Sequence, residues 1–156
     1  MNLIESKKIL SKAFRWGVLA TVAMSIIMII GKVTGLAPMP KPIPLAIIGK
    51  LFGSGTPLLM ILAIASHLVY GGIWGAILSA VTKNITIFKG IVLGIFLWLI
   101  MQLLVLPFLG WGVFGIEITP KIAVATFVLH LLYGWVFGWG FSRQNNRIDE
   151  ITDQTR

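Results

Sequence analysis

Cysteine is absent from the 156 residues, which excludes disulfides, thiolate metal sites, thiol nucleophiles and covalent c-type haem attachment. Acidic residues are almost as scarce: of five in the chain, only Glu117 lies between the first apolar segment and the last. No carboxylate pair for general acid–base chemistry stands in the apolar part. A nucleophile motif and a phosphate-cradling glycine loop are missing too, so enzymatic activity is not expected. Only 12% of residues are charged and 57% are hydrophobic, whereas a soluble domain carries about a quarter charged residues.

The apolar residues are gathered into runs. Stretches 16–31, 51–82, 90–115 and 122–142 contain no Asp, Glu, Lys or Arg, and about 20 such residues cross about 30 Å of hydrocarbon as a helix. The pattern predicts helices near 14–33, 57–81, 88–108 and 120–142, forming one transmembrane domain over 1–156 whose partner is the lipid bilayer. Lys7, Lys8, Lys12 and Arg15 before the first run also describe a secretory signal. No small-residue cleavage site follows in GKVTGLAPMP, and a retained span is expected. The polar tail, 143–156, is expected to be frayed.

The net charge of +8 reflects topology rather than nucleic-acid binding, because the basic residues flank apolar segments instead of forming a face with interleaved aromatics. Nine of the thirteen lie before the first helix, between the second and third, or after the fourth; Lys32, Lys41, Lys50 and Lys121 lie on the other side. By the positive-inside bias, both termini are expected in the cytoplasm. In the first outer loop, Pro38, Pro40, Pro42 and Pro44 forbid a continuous helix. Leu45 to Phe52 then forms either a short interfacial helix with Lys50 at the headgroups or an irregular apolar loop.

The chain has only two histidines, and both head the same phrase: HLVYGGIWGAILS from His67 and HLLYGWVFGWGFS from His130. Extended back to Thr56 and Thr119, the two segments align without gaps, with eight of 24 positions identical. The preceding helices match more weakly, FRWGVLA from Phe14 against FKGIVLG from Phe88. Two tandem two-helix repeats follow, about 14–82 and 88–142, in the same orientation and related by an axis along the membrane normal. The expected fold is an all-α, polytopic transmembrane four-helix bundle.

Each histidine stands ten residues after the proline of its Thr-Pro pair, or about 15 Å at the helical rise. Both imidazoles should therefore lie near the bilayer midplane at equal depth. His67, Gly71, Gly75 and Ser79 form one stripe, and His130, Gly134, Gly138 and Ser142 another. Gly71, Gly75, Gly134 and Gly138 are expected to let helices pack closely. Tyr70 and Tyr133 lie beside the histidines. In an up-down bundle the second and fourth helices are diagonal neighbours, which sets His67 and His130 opposite each other, flanked by the tyrosines.

Three functions suit that site. In the first, the His/Tyr seam is interhelical glue in a small membrane protein of unknown activity. The second is a small transporter or proton-responsive component, since histidine switches most easily near neutral pH, with Ser66, Gln102 and Thr126 as further relay groups. The third is axial ligation of haem b by both histidines, which needs no cysteine. No cofactor is required by the first two. Zinc is less favoured, because a closed site wants four protein ligands and a catalytic one three. The exposed glycine pairs leave room for a homodimer.

The HLxYGxxxG phrase, the four-helix size and the proline-bearing first loop resemble uncharacterised prokaryotic inner-membrane proteins of the YagU-like and related unknown-function families. That resemblance implies a location in the prokaryotic plasma membrane and no particular chemistry.

Overall fold

The computed structural model describes residues 3–53, 55–82 and 84–154, with side chains from 5 to 144 apart from positions 54 and 83. The side chains of Lys83, Arg147 and Arg156, part of the charge asymmetry, lie outside this set. Five helices follow one another, and no strand occurs among the described residues: α1 Leu3–Val33, α2 Ile43–Phe52, α3 Pro57–Val81, α4 Ile87–Leu109 and α5 Lys121–Gln154. All but α2 are long and apolar enough to cross a membrane.

The core of each span matches its apolar run, and the ends depend on which residues can break a helix. Helix α3 begins at Pro57, where the missing amide would be unpaired anyway, and it runs as the sequence predicts. Helix α1 starts well before residue 14, because nothing between Leu3 and Arg15 is a glycine or proline. It stops where Gly35 takes φ +74°, and the Ala37 amide donates to Gly31 O at 2.9 Å. Helix α5 continues to Gln154, past the end expected at residue 142, since no glycine or proline follows Gly140. Helix α2 begins two residues earlier than expected, with Pro44 in its first turn, where proline is tolerated.

Within α4, residues Met101–Val105 form a π turn. Nothing in the apolar pattern announces it. Such turns are rare inside α-helices and concentrate at functional sites.

Glycines bring the hairpins together. A Cβ on Gly17 would strike the Gly71 carbonyl, and one on Gly90 would strike the Gly134 carbonyl. Likewise Gly75 closes on the Ala13 carbonyl and Gly138 on the Thr86 carbonyl. The two crossings therefore use corresponding atoms, with Gly17 the counterpart of Gly90. That is one residue out of the register in which Phe14 aligns with Phe88.

Helix α1 packs between α3 and α5, and α5 packs between α1 and α4, so α3 and α5 are diagonal. Helix α2 lies across the end of the bundle, against α3 and the last turn of α4. There Lys50 Nζ donates to Phe108 O at 2.5 Å, a cation at a helix C-terminus. Two apolar clusters result. One, centred on Phe137, Tyr133, Leu97 and Ala20, fills the half of the bundle nearer the chain termini. The other, around Leu106, Ile122, Met39 and Ile43, holds α2 to the ends of α4 and α5.

Candidate functional site

Between the two clusters lies a cavity of about 420 Å³, and both histidines line it. His67 comes from α3 and His130 from the diagonal helix α5. The remaining polar lining is Ser66, Tyr70 and Thr126; among the described residues no Asp, Glu, Lys or Arg contributes. Met39, Ile43, Pro44, Ile47 and Ile48, in and before α2, cover one end. Tyr70 of α3 and Leu104 of α4 lie at a rim, 42% and 66% exposed, so the cavity opens sideways between these helices. Nearer the chain termini, Trp74 closes the same gap by meeting Phe96 edge-on at 5.6 Å.

Each imidazole is held through its Nδ1 atom. His130 Nδ1 stands 2.8 Å from Thr126 O one turn back. A carbonyl only accepts, so Nδ1 carries the proton, and the neutral ring keeps a free lone pair on Nε2. His67 Nδ1 lies 3.4 Å from Ser25 Oγ of α1, a looser contact with either partner as donor. The Thr126 hydroxyl donates to Ile122 O at 2.6 Å and accepts from Gln102 Nε2 at 3.0 Å. Gln102 sits in the π turn, fully buried, and its Oε1 has no hydrogen-bond partner.

The expected quartet therefore divides. His67, His130 and Tyr70 share the cavity, but Tyr133 does not line it. Only 2% exposed, Tyr133 donates its hydroxyl to Gly71 O at 2.7 Å and stacks on Phe137. It ties α5 to α3 across the diagonal, while Tyr70 rests edge-on against Trp74. A Cβ on Gly71 or Gly75 would meet α1, and one on Gly134 or Gly138 would meet α4.

Sequence reasoning missed the methionines. Met24, Met28, Met39 and Met101 all line the cavity, and only the four-residue spacing of the first two was visible in the sequence. The π turn has no signal in the sequence either, although Gln102 within it is among the polar relay candidates.

These helices and this cavity define a small helical membrane protein with an apolar, histidine-bearing interior site. The chain belongs to a family of unknown function (DUF6789), whose model matches residues 8–152. No curated protein and no solved structure matches it.

Proposed function

We propose that the chain is a multi-pass protein of the prokaryotic plasma membrane, related to the YagU-like proteins, that binds or carries a small ligand. His67 and His130 would be the polar contacts of that ligand, and no catalysis is involved. One observation carries the reading: two imidazoles from different helices face one cavity. Glue residues fill the space between helices, and Tyr133 does so here. Intramembrane ionisable groups that line a cavity instead mark ligand or ion paths. Transport fits better than a proton cycle, because among the described residues no Asp, Glu, Lys or Arg joins the two histidines in lining the site.

The chain arose from two tandem helix pairs on this reading, which the matched glycine crossings support. Both termini are cytoplasmic. A thiol introduced at Thr82, in a chain without cysteine, should then resist an impermeant reagent applied to intact cells. Efficient labelling would reverse the orientation. The four stripe glycines are buried inside the chain, so a homodimer would use another surface.

Diethyl pyrocarbonate tests the site directly, because it acylates accessible neutral imidazoles and the chain has only two. Both should react in the folded, detergent-solubilised protein. Histidines sealed in a packing seam would react only after unfolding, and that result would sink the proposal. The free Nε2 of His130 also suits haem b, whose Soret band on adding haemin would identify that occupant.

A further inference from the structure

We propose that the cavity holds a soft monovalent metal ion, Cu(I), on methionine thioethers and the two histidines. The proposal rests on the ligand-site reading above and names its ligand. The whole chain has six methionines, and four of them line this one cavity. They arrive from separate parts of the fold: Met24 and Met28 from successive turns of α1, Met39 from the connection before α2, and Met101 from the π turn. Three of them, Met24, Met39 and Met101, are more than nine-tenths buried.

The donor set decides the ion. Thioether sulfur is neutral and soft, and soft ligands select Cu(I) over the other first-row ions. Zinc wants three or four thiolate, imidazole or carboxylate ligands, and calcium and magnesium want oxygen. Among the described residues no three His, Cys, Asp or Glu side chains converge on any point. A single positive charge also costs far less to bury among uncharged ligands than a double one, since the Born penalty rises with the square of the charge. Imidazole completes the set. The bond from His130 Nδ1 to the Thr126 carbonyl is the outer-shell contact that fixes a metal-binding tautomer and leaves Nε2 to ligate. The π turn begins at Met101, and such turns concentrate at functional sites.

The competing use of methionine is as a pliable lining for an apolar guest, and it predicts no metal retention. The experiment titrates the full-length protein in detergent micelles with Cu(I) under a reductant, against a chromophoric Cu(I) chelator, and with Ag(I) as a redox-inert probe. One ion per chain should bind, and Ag(I) should protect both histidines from diethyl pyrocarbonate. Replacing Met24 and Met101 together by leucine, which nearly conserves volume, should weaken binding by at least the roughly 10- to 100-fold lost with an outer-shell partner. That variant should unfold at the same temperature as the parent with its histidines still reactive, showing that the fold and the cavity persist. Reactive histidines with no metal retained would overturn the Cu(I) assignment and leave the ligand site standing. Tight binding indifferent to the methionines would overturn it too, by placing the ion elsewhere. Histidines that never react would refute the ligand site itself.

Discussion

Valine at Gly90 is expected to prevent α4 and α5 from closing. A Cβ there would collide with the Gly134 carbonyl and lie 2.9 Å from the Gly138 nitrogen. Both are backbone atoms, so no side chain can swing aside and the helices must separate. Inside a bilayer that separation is serious, because lipid supplies no hydrophobic drive between helices and their association depends on close contact. Overpacking of this kind costs about 1–3 kcal/mol in soluble cores, and a β-branched residue against rigid backbone belongs at the upper end. Moving α5 also moves His130, whose carbonyl is what a Cβ on Gly94 would strike. Denaturant titration in mixed micelles should show the loss of stability, and the Gly90→Val protein should lose ligand binding with it. A variant as stable as the wild type would show that this crossing is not what holds the hairpin.

Alanine at Tyr133 should be the most damaging change on the diagonal. The ring is buried against Phe137, and its hydroxyl is the bond from α5 to the α3 backbone. Truncating a buried aromatic residue costs about 3–5 kcal/mol, including the void left behind. Phenylalanine isolates the hydroxyl: it keeps the ring but leaves the Gly71 carbonyl short of a partner, at about 1–2 kcal/mol for a bond between membrane helices. Leucine at His67 should change stability little by comparison, because that ring lines space and its hydrogen bond, to Ser25, is 3.4 Å long. The ordering Tyr133→Ala, then Tyr133→Phe, then His67→Leu in thermal unfolding checks the division of labour. If His67→Leu proved as harmful as Tyr133→Ala, the histidine would be glue after all.

The reasons why the two tyrosines differ show where sequence stops being informative. Tyr70 and Tyr133 hold equivalent places in matching phrases, and local pattern treats them alike. Their environments differ because α5 is sandwiched by α1 and α4, whereas α3 has α1 on one side and the short α2 across its end. One ring is consequently buried and the other reaches a rim. What each residue needs locally was readable: the proline starts, the glycines that permit close approach, and the equal spacing of the histidines from Thr-Pro. The extra length of α1 and α5 was obscured by polarity, since a helix leaving the bilayer keeps its geometry after losing its apolar pattern.

The methionines were illegible for a further reason. Met24 and Met28 read as ordinary apolar positions, and Met39 lies in a proline-rich connection whose path depends on where α2 docks. Only the fold, with Lys50 tying α2 to the end of α4, brings that connection over the histidines. Likewise the π turn at Met101–Val105 has no signature in a run where every neighbour but Gln102 is apolar.

The central claim, that His67 and His130 face one another across a single cavity, is open to one direct measurement. The natural chain has no cysteine, so the double variant His67→Cys, His130→Cys carries the only two thiols in the molecule. Isolated membranes are treated with bifunctional thiol reagents of graded span, and the product is mapped by mass spectrometry. The expected result is a link within one chain, joining the α3 and α5 peptides, for reagents short enough to fit inside the cavity. Thiols that react singly at every span, or that link only between two chains, would contradict it.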